Sequence, residues 1–198
     1  MNESSAAALL TILVSAALTD NILLTRFLGM CSFLAVSRQM KAAAGLGLAV
    51  TFATTITCAL NAALYAWVLV PLGLEALRLI VFIIVIAAVV QFLEMLIERV
   101  SLGLYYALGV FLPLITVNCA VLGAALFMVN RGYGVVESTV FGFGSGLGWL
   151  LAIVLMAGIR ERLKNASIPP ALEGPGITLI IAGIIALGFV GFSGIVQP

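Results

Sequence analysis

Two cysteines, Cys31 and Cys119, are the residues of this chain best suited to metal or redox chemistry. Each lies in an apolar stretch beside residues that interrupt helices, FLGMCSF around the first and PLITVNCA around the second. A free cysteine is most often a small buried apolar residue, and that interpretation stays open for both. The alternative is a pair of thiolates, which would supply half of the four ligands of an iron–sulfur cluster. The third cysteine, Cys58, lies in an unbroken apolar stretch among threonines, and we predict that it only packs.

Other common catalytic groups are missing from the sequence. The chain has no histidine, which excludes His-based acid–base catalysis and His-ligated haem or zinc. The odd number of cysteines gives little support for a disulfide framework. The net charge is +1, so no basic face indicates nucleic acid as a partner. We interpret Trp67 and Trp149 as membrane-interface anchors or packing residues.

The composition predicts that lipid is the solvent of this chain. Of its 198 residues, 64% are hydrophobic and 9% are charged, and the mean hydropathy is +1.29. A soluble domain carries about 25% charged residues, and a membrane-spanning helix needs about 20 mostly apolar ones. We therefore predict an all-α integral membrane protein that forms a single membrane domain over residues 1–198.

Apolar runs predict six transmembrane helices, because backbone inside lipid must satisfy its own hydrogen bonds. We place these spans at about 6–36, 42–70, 77–97, 104–129, 135–159 and 176–196. Of the lysines and arginines in the connections between these spans, six lie in the odd-numbered connections and two in the even-numbered ones. The six are Arg38, Lys41, Arg99, Arg160, Arg162 and Lys164, and the two are Arg78 and Arg131. The positive-inside rule then places the odd connections in the cytoplasm and both termini on the periplasmic side.

Spans one and four differ from the others because polar residues and proline interrupt them. Span one contains Asp20 and Arg26, and span four contains Pro113 and Asn118. Their cysteines are 119 − 31 = 88 positions apart, close to half the chain. Broken helices at matching positions in two halves of three spans indicate an inverted repeat, with half-helices meeting near the midplane. The repeats would cover about 6–99 and 102–196.

Charged residues inside predicted spans are candidates for an ion path or for buried ion pairs. Asp20 and Arg26 are six positions apart, beyond the usual helical pair, although a broken helix relaxes that spacing. Glu94 lies four residues before Glu98, which we interpret as part of a hydrated helix end. For Asp20 and Glu94, a structural pair and a role in ion passage stay equally open.

A glycine-rich run contains Gly142, Gly144, Gly146 and Gly148. It does not have the spacing of a dinucleotide-binding loop, and no strand precedes it. It contains two overlapping GxxxG pairs, which allow a neighbouring helix to approach closely. We predict a packing role for these glycines.

Three long stretches resemble one family, the six-span integral subunits of the sodium-translocating NADH:quinone reductase (Nqr) and the related Rnf complex. They are FLGMCSFLAVS at 27–37, FLPLITVNCAVLG at 111–123 and ESTVFGFGSGLGWLLAIVLMAGIRE at 137–161, and the segment at 176–194 fits as well. The resemblance covers nearly the whole chain and is strongest to the Nqr branch. The short connection at 71–78 is more similar to Rnf, so a subunit of that ferredoxin:NAD oxidoreductase ion pump stays an alternative.

The resemblance implies a function within a complex of the bacterial inner membrane. Such a subunit pairs in antiparallel fashion with its homologue, the D-type subunit, and the two share a 2Fe–2S cluster. In this chain the ligands would be Cys31 and Cys119, whereas Cys58 matches no ligand of the family. The cluster would relay electrons between the cytoplasmic FAD/iron–sulfur subunit and a flavin of the FMN subunits on the other side, coupling ubiquinone reduction by NADH to sodium export.

The resemblance also limits what this chain does by itself. The flavin attachment motif S-G-A-T of the sister subunits is absent, so we expect no flavin here, and we expect no catalysis by the chain alone. Two other interpretations remain open: a small inverted-repeat transporter with inert cysteines, and a purely structural membrane subunit.

Overall fold

The computed structural model describes residues 3–100, 113–163 and 174–191, and these residues form helices and connections without a strand. The prediction of an all-α protein is therefore confirmed. The helices are α1 (Glu3–Val14), α2 (Met30–Val36), α3 (Met40–Leu64), α4 (Arg78–Val100), α5 (Pro113–Thr116), α6 (Cys119–Asn130), α7 (Val135–Leu163) and α8 (Pro175–Val190). Wider π-helical turns continue α1 over Ser15–Thr19 and α3 over Tyr65–Leu69, and a 3-10 turn at Glu75–Leu77 precedes α4.

Three of the described helical segments are long and apolar enough to cross a membrane, at Met40–Leu69, Glu75–Arg99 and Val135–Leu163. They correspond to predicted spans two, three and five. Shorter apolar segments at Ala6–Thr19, Leu114–Asn130 and Pro175–Val190 overlap predicted spans one, four and six. The beginning of predicted span four and the end of predicted span six lie outside the described residues.

Helix α4 shows most clearly that lipid is the solvent. It buries Phe82, Ile86 and Val90 at intervals of four residues, which is one face of a helix. On its other side Ile84 and Phe92 are exposed. In water such a face would carry polar residues, so the apolar surface fits an environment of lipid chains.

Predicted spans one and four are both interrupted in the structure. The first helical segment ends at Thr19 and α2 begins at Met30, with an irregular segment between them. In span four, α5 ends at Thr116 and α6 begins at Cys119. Each interruption is therefore followed by a second helix that starts at or just before a cysteine.

The side chain of Asn21 supports the interruption of span one. Its amide oxygen accepts hydrogen bonds from the backbone N–H groups of Leu23 and Leu24, at 3.1 and 3.3 Å. Its amide nitrogen donates to the carbonyl oxygens of Ala17 and Gly148, at 3.0 and 2.8 Å. Backbone groups that leave a helix inside a membrane protein need such partners, and Asn21 supplies them while linking the break to α7.

The glycine-rich run lies in the middle of α7 and faces two different helices. A Cβ at Gly142 would lie 2.8 Å from Cys58 Cβ, and a Cβ at Gly146 would lie 2.5 Å from Thr51 Cα. Successive contacts therefore run backwards along α3, so α3 and α7 pack antiparallel. The absence of side chains at these two positions is what allows the close approach.

The other glycine pair faces the first helical segment. A Cβ at Gly144 would lie 2.8 Å from the carbonyl oxygen of Leu13, and one at Gly148 would lie 2.6 Å from that of Ala17. Here the contacts run in the same direction along both helices, so α1 and its π-helical extension run parallel to α7. Helix α7 thus contacts both neighbours through alternating glycines.

We expect the substitution Gly146→Ala to destabilise the protein by about 1–3 kcal/mol, the usual range for overpacking. The added methyl group would meet a backbone atom of Thr51, which cannot rotate away as a side chain does. Gly183→Ala is the matched control, because no atom lies within 4 Å of the position a Cβ would take there. Thermal unfolding in detergent should show a lower midpoint for the first variant only, and equal midpoints would contradict the close α3–α7 contact.

Candidate functional site

The two interrupted spans meet at a hydrogen bond between Gly29 and Cys119. The backbone N–H of Gly29 donates to Cys119 Sγ, with 2.9 Å between the nitrogen and the sulfur, although the residues are 90 positions apart. Cys31 follows Gly29 by two residues. Both cysteines are free and exposed. The structure thus brings the sulfur of Cys119 against the backbone two residues before Cys31, and both cysteines lie at the surface of this chain.

Gly29 is required there for two separate reasons. Its φ is +82°, a left-handed conformation that side-chain-bearing residues rarely adopt. In addition, a Cβ would lie 2.6 Å from Trp149 Nε1 and 3.0 Å from Asn118 Oδ1. Because both the conformation and the space exclude a side chain, we infer that only glycine lets the backbone reach Cys119.

A short chain of hydrogen bonds holds the two cysteine-bearing helices together. Asn118 caps the start of α6, where its Oδ1 accepts the N–H of Ala120 at 3.0 Å. Its Nδ2 donates to Ser32 Oγ at 3.4 Å, and the hydroxyl group of Ser32 donates to the carbonyl oxygen of Gly29 at 3.1 Å. Asn118 and Ser32 are buried, so these bonds are shielded from competing water.

Both cysteines occupy the first positions of the helices that follow the breaks. Cys119 is the first residue of α6, and Cys31 is the second residue of α2. The first N–H groups of a helix have no partner within the helix. In α6 these groups bond back to the capping residue: the N–H of Ala120 donates to Asn118 Oδ1 and the N–H of Val121 donates to the carbonyl oxygen of Asn118, at 3.0 and 3.1 Å.

The donor set fits one half of a 2Fe–2S cluster. Sulfur is the preferred ligand of such clusters, and the N–H group that already donates to Cys119 Sγ is the usual kind of partner for a bound thiolate. Within residues 3–100, 113–163 and 174–191, no group of three or more His, Cys, Asp or Glu side chains could hold a metal ion. A four-thiolate centre at this place would need two ligands from another chain. Cys58 is fully buried against Gly142 in the α3–α7 contact.

Asp20 lies in an ion-pair cluster between the first break and the connection from α6 to α7. Its carboxylate contacts Arg131 and also pairs with Arg26 at 3.3 Å. The guanidinium carbon of Arg131 lies 5.1 Å from the centre of the Phe141 ring and 5.9 Å from that of Tyr133, which are cation–π contacts. Partial burial alone would lower the pKa of Arg131, but its hydrogen bond with Tyr133 and the negative charge of Asp20 outweigh this and raise the pKa.

The substitution Asp20→Asn should destabilise the protein by about 1–3 kcal/mol, between the values for exposed and buried ion pairs. It would leave the partly buried Arg131 without a countercharge. Arg26→Gln should have a smaller effect, because the side chain of Arg26 is 49% exposed against 26% for Arg131. Thermal unfolding of both variants checks this order, and the reverse order would contradict it. Sodium-dependent turnover of Asp20→Asn then tests the ion-path role, which stays a prediction.

Glu94 differs from Asp20, because no described residue forms an ion pair or hydrogen bond with its carboxylate. It is half-buried on α4. Carboxylates inside a membrane-spanning helix are candidates for ion paths by default. The role of Glu94 in ion passage stays a prediction.

For three residues of the site, the sequence alone predicts no specific role. Gly29 and Ser32 lie within the cysteine-containing motif, but their contacts with span four follow from the fold. Of the two roles that the sequence leaves open for Trp149, interface anchor or packing residue, its complete burial supports packing. The one signal that sequence offered was the position of Gly29, two residues before a cysteine in an interrupted helix.

These features define a class: a membrane protein, all-helical in its described residues, in which two interrupted helices meet beside an exposed cysteine each. The chain belongs to the Rnf-Nqr family, described as "Rnf-Nqr subunit, membrane protein", whose pattern matches residues 9–196. The resemblance seen in the sequence motifs is thereby confirmed. The chain is 51% identical to the E subunit of the Na(+)-translocating NADH-quinone reductase of Hahella chejuensis, over 94% of this chain and 97% of that protein. Proteins of the same name from Aeromonas salmonicida and Marinobacter nauticus are 52% and 50% identical over the same shares of both chains.

Proposed function

We propose that this chain is the E-type membrane subunit of a sodium-translocating NADH:quinone reductase. Within it, Cys31 and Cys119 provide two of the four ligands of a 2Fe–2S cluster. The homologous D-type subunit provides the other two. The relatives named above support the assignment to this complex. The hydrogen bond from Gly29 to Cys119 Sγ is the main observation in favour of the cluster site. That bond joins the backbone two residues before Cys31 to the sulfur of Cys119, and this supports a shared site for the two exposed cysteines.

The function of such a site is to carry electrons part of the way across the membrane. The hydrocarbon core is about 30 Å thick, so an electron carrier within it divides one long transfer into shorter ones. A 2Fe–2S cluster supplies one-electron chemistry. The residues of this chain would supply two thiolates, and the N–H of Gly29 already donates a hydrogen bond to one of them, Cys119 Sγ. Electron donors and acceptors would be the FAD/iron–sulfur subunit and the FMN subunits of the same complex.

The proposed architecture is six transmembrane helices arranged as two inverted repeats, over about 6–99 and 102–196. Support comes from the antiparallel packing of α3 against α7, which would be equivalent helices of the two repeats. The two interruptions support it as well, because each is followed by a cysteine at the start of a second helix. The lysine and arginine distribution then puts both termini on the periplasmic side of the bacterial inner membrane. In this arrangement sodium export would use alternating access at the broken helices.

The experiment is a gene deletion followed by purification of the complex from the complemented strain. Deletion should abolish sodium-stimulated NADH:quinone reductase activity in membranes, and the complementing gene should restore it. The 2Fe–2S EPR signal should be present only when this chain and its homologous partner are expressed together. A ferredoxin:NAD activity instead would favour the Rnf alternative. Solute uptake by the isolated chain without any iron would favour a transporter with inert cysteines.

A further inference from the structure

Trp149 has a buried hydrogen-bond donor that lacks a partner within the described part of the chain. Its side chain is 0% exposed, and its indole Nε1 has no hydrogen-bond acceptor among the residues that the structure describes. An unsatisfied buried donor destabilises a protein by about 1–3 kcal/mol. Such groups are uncommon in folded proteins, and they are found where a ligand, an ion or a functional requirement accounts for them.

The position of this donor connects it to the cysteine pair. Trp149 Nε1 lies 2.6 Å from the place that a Cβ of Gly29 would take. The N–H of the same glycine already donates to Cys119 Sγ. Two hydrogen-bond donors therefore lie beside the Cα atom of Gly29. One is the N–H of Gly29 itself, and the other is the indole N–H of Trp149 on α7. The nearby Asn118 Oδ1 already accepts the N–H of Ala120.

We propose that Trp149 is a positioning residue whose indole N–H donates a second hydrogen bond to the sulfur of Cys119 when the 2Fe–2S cluster is bound. This inference rests on the proposed function, because it assigns a donor to the same cysteine pair. An indole N–H suits the role, because it donates and cannot accept. A thiolate bound to iron is an acceptor, and hydrogen bonds to the sulfur atoms help to set the reduction potential of a cluster.

The direction of the effect follows from charge. Reduction adds one negative charge to the cluster, and a donor to a ligand sulfur stabilises the more negative state. Trp149 should therefore raise the midpoint potential. Removing only its N–H should lower that potential and leave the number of bound iron atoms unchanged.

The test is an EPR-monitored redox titration of the purified complex with Trp149→Phe, beside wild type and Trp67→Phe. Trp67 is 75% exposed, and its replacement should leave the midpoint potential unchanged. Trp149→Phe should keep full iron content and show a lower potential. If this variant does not assemble, replacement of Trp149 by 3-benzothienylalanine, which exchanges the N–H for sulfur at nearly the same shape, decides the question.

The outcomes separate this inference from the proposed function. If wild type has the cluster, Cys119→Ser loses it and the N–H-free variants titrate like wild type, the role of Trp149 is wrong and the cluster stands. If wild type itself has no cluster signal that depends on Cys119, the proposed function fails, and the role of Trp149 fails with it. If the Trp149 hydrogen bond exists, a complex labelled with ¹⁵N in its tryptophan indoles should show a ¹⁵N coupling to the reduced cluster. The same labelled complex with Trp149→Phe should lack that coupling.

Discussion

Replacing Cys119 by serine should abolish the 2Fe–2S EPR signal of the purified complex and lower its NADH:quinone reductase activity by more than about 100-fold. The loss of a ligand should exceed the effect of losing an outer hydrogen-bond partner of a metal site, which is about 10–100-fold. Cys31→Ser should have the same effect, because each thiolate would be one of the four ligands of the proposed cluster. Iron content, the EPR signal and steady-state turnover of the same preparations measure the effect.

Cys58→Ala is the matched control for both cysteine variants. Cys58 is fully buried in the α3–α7 contact, where it acts as a small apolar group. The control should retain the full iron content and turnover, with at most a small loss of stability. If Cys31→Ser and Cys119→Ser also retain both, the cysteines are inert and the assignment of the cluster ligands is wrong.

Replacing Gly29 by alanine should also empty the site, although no ligand is removed. The added Cβ would lie 2.6 Å from Trp149 Nε1, and the left-handed φ would add a cost of about 1–2 kcal/mol for a residue with a side chain. To relieve the contact, the glycine backbone must move away from α7, and its N–H would leave Cys119 Sγ. We expect iron content and turnover each to fall at least about tenfold, as when an outer partner of a metal site is lost.

A second glycine separates conformational strain from the close contact. Gly73 also has a left-handed backbone, with φ +67°, but no atom lies within 4 Å of the place of its Cβ. Gly73→Ala therefore introduces similar strain without a clash, and it should retain its cluster. Equal losses in the Gly29 and Gly73 variants would show that strain alone is responsible and would contradict the role of the close contact.

The helices could be predicted well from sequence because lipid leaves the backbone little choice. An apolar run in a membrane must form a helix, so the positions of α3, α4 and α7 followed from composition. The interruptions near Asp20 and Asn118 were also predictable, because polar residues and proline are costly inside an unbroken span. The ends of the helices were less predictable. Helix α7 continues to Leu163, beyond the predicted end at 159, because charged residues do not stop a helix that leaves the lipid.

The contacts between the two halves of the chain could not be predicted in the same way. The hydrogen bond from Gly29 to Cys119 and the ion pair of Asp20 with Arg131 join residues that are 90 and 111 positions apart. Local patterns of hydrophobicity do not encode such pairs; they follow from how the helices pack. The burial of Trp149 is of the same kind, since a tryptophan suits both a membrane interface and a packed core.

The bond between Gly29 and Cys119 also sets an order of events during biosynthesis. A nascent chain that has inserted only its first three helical segments lacks Cys119, and the N–H of Gly29 then has no sulfur partner. The thiol pair exists only after α6 has been synthesised and docked against the first break. If the two cysteines hold the proposed cluster, iron delivery follows the docking of α6, and a truncated chain that ends before residue 119 should acquire no iron even when the partner protein is present.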